Sequence, residues 1–223
     1  MRSRLILLAI ASAALAASIW ATPALANVGS ARVIVAQGIP GVTVDVCRGS
    51  TPLRSGLGYG GQATLAMPVG PVIVRIRKHS ATPCHGTLLI SKSLTLSADE
   101  NVTIVPRVLN GAYSAPAFVN DMLSEFPAAT VVVWHVASFG TVDFWVNGGT
   151  LPAVSGIARG AKLETAIFSA GVSAMWLSLH GAYAPVIKPV VVKLVGGHCY
   201  QLIAVGTSTS NFRYIVINQL AAG

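Results

Sequence analysis

Serine, histidine and aspartate together can run nucleophilic hydrolysis, and two aspartates of this chain stand in matching surroundings. They are Asp45 in Val44-Asp45-Val46 and Asp143 in Val142-Asp143-Phe144, 98 positions apart. A serine nucleophile needs a base within hydrogen-bond reach and a third group that orients the base. No G-x-S-x-G elbow presents a serine in this way, and the histidines are scattered. The best pair that remains is His135 with Asp143, and a small secreted hydrolase built on it is the second reading of the chain. Glycosidase chemistry asks for two carboxyls across one sugar, roughly 5–10 Å apart. Asp45 and Asp143 sit at equivalent points of separate repeats and do not suit that. A simpler role is to accept backbone N–H bonds at the end of a sheet.

Other chemistry fares less well. His79, Cys84-His85 and His198-Cys199 are soft ligands in pairs, but adjacent strand residues point to opposite faces and no C-x-x-C is present. No metal or cofactor is expected. Gly56-Leu-Gly58-Tyr-Gly60-Gly61 matches G-x-G-x-x-G in letters, yet Gln62–Pro68 follows, which does not read as a helix, and the next acid is Asp99. It reads as a turn. Aromatics gather late in the chain, with Trp134, Trp145 and Trp176 beside Phe139, Phe144 and Tyr183. Most are expected in the core, since rings bury large areas. Alternation along Thr141–Asn147 puts Trp145 on the Asp143 face and Val142, Phe144 and Val146 on the core face. Trp145 and Phe139, with Asp143 and His135, are therefore the candidate binding residues.

The elements that must position these residues repeat. Ala31–Gly49 returns as Ala129–Asn147, aligning Val33 with Val131, Val35 with Val133, Thr43 with Thr141 and Asp45 with Asp143. Ser55-Gly56-Leu57 returns as Ser155-Gly156-Ile157, Gly70 as Gly171, and His79 as His180. Solenoid repeats run to roughly 20–50 residues, so a period this long is a domain duplication. Short β-branched segments separated by Gly, Pro, Ser and Asn predict strands over Arg32–Ala36, Val42–Cys47, Val72–Arg77, Ser93–Leu96 and Val102–Val108. The second series is Val131–Val136, Val142–Val146, Ala174–Leu179, Val190–Leu194, Tyr200–Val205 and Phe212–Asn218. Only Val119–Glu125 suggests a helical turn. The expected fold is all-β: two tandem antiparallel Ig-like β-sandwich domains. Thr130–Val136 and Pro189–Val195 are apolar on both faces, which domain packing or self-association would cover.

The first residues read as a signal peptide, 1–26. Arg2 and Arg4 precede an apolar run, Pro23 ends its helix, and Ala24-Leu25-Ala26 is a small-residue cleavage site. With it removed, no stretch is expected to span a membrane, and the protein is expected outside the cell or in the cell envelope. Of 15 Lys and Arg, 13 then remain against 7 acids, a net charge of +6. Arg75, Arg77 and Lys78 form the densest cluster, without a nucleic-acid signature, and read as a solvated strand face. The chain has 3 cysteines. An oxidising compartment permits a Cys47–Cys84 disulfide, leaving Cys199 buried or free to pair between molecules, though other pairings such as Cys84–Cys199 stay open.

Ile39-Pro40-Gly41-Val-Thr-Val-Asp45-Val resembles the opening of the bacterial family called domain of unknown function 4397. That family is similar in a valine-rich strand, a His, a Pro-Gly turn, and V-D-V before an Asn/Asp-Gly turn. The first repeat has Gln37 at the usual place of the His. The second keeps His135, Val142-Asp143 and Val146-Asn147-Gly148, with Ser138-Phe139-Gly140 at the turn. Phe118, Asn120 and Asp121 between the repeats fit, as do Gly196-Gly197, Tyr200 and Ala204-Val205-Gly206 near the end. The resemblance implies an exported Ig-like or transthyretin-like sandwich and no catalytic residues. Residues 27–111 are the expected first repeat, 112–128 the connection and 129–223 the second repeat. The expected function is a non-catalytic surface or envelope module that binds an envelope polymer or protein, or assembles with itself, with a cell-wall carbohydrate-binding module as a further alternative.

Overall fold

The computed structural model describes residues 29–120, 127–160 and 164–220. The expected signal peptide and most of the expected helical turn at Val119–Glu125 lie outside these. Among the described residues every regular element is a strand. The first half holds β1 (Ser30–Ala36), β2 (Val44–Arg48), β3 (Thr51–Leu57), β4 (Gln62–Pro68) and β5 (Gly70–Lys78). It continues with β6 (Leu88–Leu96), β7 (Asn101–Ile104), β8 (Arg107–Leu109), β9 (Ala112–Ser114) and β10 (Ala117–Val119). The second half holds β11 (Ala129–His135), β12 (Val142–Val146), β13 (Val154–Ile157) and β14 (Glu164–Phe168). It closes with β15 (Gly171–Leu179), β16 (Val190–Leu194), β17 (His198–Val205) and β18 (Arg213–Leu220).

The two halves share one strand order. In the first, β10-β7-β1-β4 stacks against β3-β2-β5-β6; in the second, β18-β17-β11-β14 stacks against β13-β12-β15-β16. Pairing is antiparallel except between β1 and β7 and between β11 and β17, which are parallel. Val33 pairs with Val102, and Val131 with Tyr200, so register is kept at the repeat spacing. The hairpin β8–β9 is an addition to the first half.

Each stacked pair encloses its own core. Val33, Val44, Val46, Val74 and Ile76 centre the first, and Val131, Val142, Phe144, Leu177 and Leu202 the second. A third apolar cluster joins the halves: Ile34, Ala36 and Val105 meet Val132, Trp134, Val136, Ile203 and Ile215. This accounts for the two-sided strand at Thr130–Val136, with Val131 and Val133 facing their own core and Val132 and Trp134 facing the other half. Full burial of such a side chain stabilises by roughly 1.5–3 kcal/mol, so both faces contribute. The other two-sided stretch, Pro189–Val195, stays open, with Val191 67% exposed at the sheet edge.

Several strands differ from the sequence expectation for local reasons. β3 and β13 carry Ser-Gly and β4 begins with Gln62, so neither composition nor alternation marks them. Pro106 has no N–H to donate, and it divides the expected Val102–Val108 strand into β7 and β8.

Candidate functional site: a duplicated aspartate cage

On β2 the pairing with β3 skips from Val44↔Leu57 to Val46↔Arg54, leaving Ser55 and Gly56 opposite Asp45. On β12 it skips from Val142↔Ile157 to Phe144↔Val154, leaving Ser155 and Gly156 opposite Asp143. Such a bulge turns a strand and re-aims its groups. Gly56 and Gly156 sit at φ 68° and 75°, a left-handed conformation that glycine adopts without steric penalty. The result is that the hydroxyl and the next amide both face the carboxylate.

The cage is then closed from the strand on the other side. Asp45 Oδ1 accepts Ser55 Oγ at 2.8 Å and Gly56 N at 3.0 Å, and lies 2.7 Å from His79 Nδ1. Its Oδ2 accepts the Cys84 amide at 3.1 Å. Asp143 Oδ1 accepts Ser155 Oγ and Gly156 N, both at 2.8 Å, and lies 2.8 Å from His180 Nδ1, while Oδ2 accepts Gly181 N at 2.9 Å. Both carboxylates are buried. Burial pushes the Asp45 carboxyl upward, but the bonds from Gly56, His79, Ser55 and Cys84 outweigh it and hold the group down at about 2. For Asp143 burial again opposes ionisation, and the bonds from His180, Gly181, Gly156 and Ser155 carry it well below the usual carboxylate range. The sequence alternation puts both aspartates on the outer face of their sheets; loops cover them there, and they bind backbone amides at the sheet end.

Serine, histidine and aspartate thus do meet, twice, but in an order that differs from a hydrolytic relay. A relay sets the imidazole between carboxylate and serine. Here serine and histidine both bond the same carboxylate oxygen, so the aspartate is the hub. Asp143 is paired with His180 and not with His135, the partner of the second sequence reading. His135 instead sets Nε2 at 3.1 Å from Phe139 O and 2.7 Å from Gly140 O, with its ring 4.5 Å from that of Phe139. Carbonyls only accept, so Nε2 carries the proton. Burial pulls the His135 pKa down against the raising effect of these carbonyls. In the first half Gln37 takes this position, and its Nε2 donates to Val42 O at 2.9 Å. Val42 and Gly140 are matching turn residues, so glutamine and histidine do one job: each pins the turn after its strand.

A second exchange lies beside the cage. Cys47 and Cys84 form a disulfide in the first half. At the position matching Cys47 the second half has Trp145, whose Nε1 donates to Ser178 Oγ at 2.8 Å. Ser178 in turn donates to Ala182 O at 2.6 Å, and Trp176 Nε1 donates to Tyr183 O at 3.2 Å. One half ties its loop with a disulfide, the other with two indoles. Trp145 lies on the outer face but is only 6% exposed, stacked on Trp176 and covered edge-on by Tyr183. Tyr183 itself is 54% exposed. A cleft of about 290 Å³ opens here, with Asp143 and Trp145 at its floor and Leu151, Pro152, Ser155, His180 and Tyr183 around it.

Phe139 lies elsewhere, edge-on to Phe212 against the second core. Cys199 is a free thiol buried at the seam between the halves, its pKa pushed up by burial to about 11. That burial places it out of reach of another molecule. Cys84, one of the soft metal ligands weighed in the sequence, has its sulfur in the disulfide. The residues that sequence reasoning did not assemble are Ser55, His79, Ser155 and His180. Their signal was present: they survive the duplication together with Asp45 and Asp143 while most of their neighbours change.

Neither a protein-family model nor a curated protein matches the chain. Among solved structures it is similar to the Bacillus anthracis TIE protein, with 7% identity and a TM-score of 0.28, covering 81% of this chain and 35% of that one. It is also similar to CBMbc, a family 26 carbohydrate-binding module from Eubacterium rectale Amy13K solved with maltoheptaose. There the identity is 10% and the TM-score 0.26, covering 87% of this chain and 98% of that one.

Proposed function

We propose that the chain is an exported, non-catalytic binding module made of two tandem Ig-like β-sandwich repeats of the domain of unknown function 4397 type. The cleft of the second half receives a polymer of the cell envelope, and a polysaccharide suits it best. One observation carries this reading: an exposed aromatic edge, Tyr183, stands beside the Ser155 hydroxyl and His180 in one open cleft. Sugar rings present apolar faces and hydroxyl edges, and such a lining meets both. The cages support a structural rather than a catalytic role for Asp45 and Asp143, because in each the serine Oγ and the histidine Nδ1 both bond the carboxylate instead of lining up as a relay. Tandem architecture is supported by the shared strand order and register. Co-sedimentation of residues 27–223 with insoluble cellulose, chitin, starch and bacterial cell-wall sacculi tests the reading. Retention on one of these that is lost in Tyr183→Ala and Leu151→Ala supports it. Retention on none, or retention unchanged by both substitutions, overturns it.

A further inference from the structure

The cage of the second half sets where the protons of its serine and histidine sit, and so what the cleft above it offers a ligand. An ionised carboxylate only accepts hydrogen bonds. Ser155 Oγ lies 2.8 Å from Asp143 Oδ1, so its single hydroxyl proton points at the carboxylate. His180 Nδ1 lies 2.8 Å from the same oxygen, so Nδ1 carries a proton, and in the neutral ring Nε2 is left as an acceptor. The two groups are neighbours, with Ser155 Oγ 3.5 Å from His180 Nδ1, and both line the one cleft. The His180 side chain is 57% exposed, and with Nδ1 turned to the buried carboxylate the Nε2 edge faces the opening. Adjacent lone pairs therefore meet whatever enters.

The neighbouring amides add no donor, since Gly156 N and Gly181 N both bond Asp143. The hydroxyls of Thr150 and Tyr183 can donate or accept. Asp143 is ionised at the floor, and among the described residues no Lys or Arg lines the cleft. An anionic group entering here sets its oxygens against lone pairs above a negative charge and brings no proton to bridge them. A sugar hydroxyl brings one. The net charge of the chain, +8, would by itself favour an anionic polymer. Salt screens that general field over roughly 8–10 Å, whereas the cage acts at contact.

Building on the polysaccharide reading, we propose that the second-half cleft takes an uncharged polysaccharide and rejects polymers bearing carboxylate or phosphate groups, with Ser155 Oγ and His180 Nε2 accepting hydrogen bonds from sugar hydroxyls. The first half provides the comparison within the molecule. Ser55 and His79 bond Asp45 in the same way, with the disulfide where the second half has Trp145.

Co-sedimentation of residues 27–223 with cross-linked beads of cellulose, chitin and starch, each native and carboxymethylated, at about 0.15 M salt tests this. The expected result is retention on a native polymer and binding at least about tenfold weaker to its carboxymethylated form. His180→Asn keeps a side-chain donor toward Asp143 but removes the Nε2 acceptor, and it weakens retention about fivefold. His79→Asn makes the same exchange in the first cage and leaves retention unchanged, so a purely structural effect would show in both variants. Stronger retention on a carboxymethylated form overturns the proposal while the wider reading stands, and so does retention confined to cell-wall sacculi, whose peptides carry free carboxylates. Retention that His180→Asn leaves unchanged, or that both variants reduce equally, also overturns it. Retention on nothing overturns both.

Discussion

Thr103 and Gln201 occupy the same position in the two halves, 98 residues apart, and they bond directly to each other, Oγ1 to Oε1 at 3.0 Å. Equivalent residues touch only beside the axis that relates their surroundings. The contact therefore lies close to the local axis that relates the two halves, between β7 and β17. Asn120 Nδ2 joins Thr103 Oγ1 at 3.0 Å and Asn101 Oδ1 at 2.9 Å, and Asn101 Nδ2 reaches Gln219 Oε1 at 2.6 Å. These polar links run through an otherwise apolar seam. Apolar contacts alone are non-directional, so the links fix which residue meets which.

The seam is open to a double-mutant cycle. Thr103→Val leaves the Gln201 amide without its donor and is expected to destabilise by about 1–2 kcal/mol. Adding Gln201→Leu removes the remaining buried amide and recovers part of that loss. Urea denaturation of the four proteins measures the coupling, and simple additivity would disprove direct pairing.

Acid should strip the cages of their contribution in a defined window. A carboxylate held at about 2 in the fold and about 3.9 in the unfolded chain adds roughly 2–3 kcal/mol above the higher value. Because the folded pKa is the depressed one, this stability is complete above about pH 4 and lost as pH falls toward 2. Asp143→Asn turns an amide NH₂ toward donors that expect an acceptor and is expected to cost about 2–4 kcal/mol at pH 7. Thermal melts of both proteins from pH 7 to 3 check this, and the wild-type curve should fall toward that of the variant.

His135 offers a second pH dependence at a higher range. Its pKa is depressed by burial, so the unfolded chain takes up a proton first as pH drops. Stability is complete above the ordinary histidine value of about 6.5 and declines below it. His135→Gln copies Gln37 of the first half, which donates to the matching turn carbonyl. It should cost less than about 1 kcal/mol at pH 8 and remove the decline between pH 7 and 5, whereas His135→Ala loses about 1–3 kcal/mol throughout. Chemical denaturation at four pH values separates the two.

The cysteines can be counted by reactivity. Cys199 is buried and Cys47 and Cys84 are joined, so a thiol reagent should find nothing in the native protein and one group after denaturation. A native protein that reacts at once would contradict the seam. The disulfide spans a separation of 37 residues. Replacing both partners by serine should cost about 3–4 kcal/mol.

Trp145 and Tyr183 separate fold from recognition. Trp145 fills the place of a disulfide half, and Trp145→Ala should destabilise by about 3–5 kcal/mol. Tyr183 is half-exposed, and Tyr183→Ala should cost far less stability while abolishing retention on the bound polysaccharide. Melting temperatures set beside co-sedimentation give both quantities for each variant.

The sequence made the strand class legible because β-branched runs such as Val131–Val133 and Val190–Val192 have few other uses. It made β3 and β13 illegible, since their role is to bulge, and a bulge needs Ser-Gly rather than alternating valines. The cage was half legible. Asp45 and Asp143 were marked by the repeat and their backbone-binding role follows from residue type, but His79 and His180 lie a whole strand away. Only the fold brings them to the carboxylate. Trp145 was put on the correct face, yet alternation reports direction and says nothing of the loop that covers it. Phe139 and His135 met as turn residues, a role that Gln37 in the first half already performs without a ring.

The apolar seam also limits how the chain can be divided. Severed between β10 and β11, the first piece would bare Ile34, Ala36 and Val105, and the second Trp134, Ile203 and Ile215. Each would then carry a sticky, water-facing sheet where the intact molecule has an interior. Either half made alone is therefore expected to aggregate where the intact chain does not.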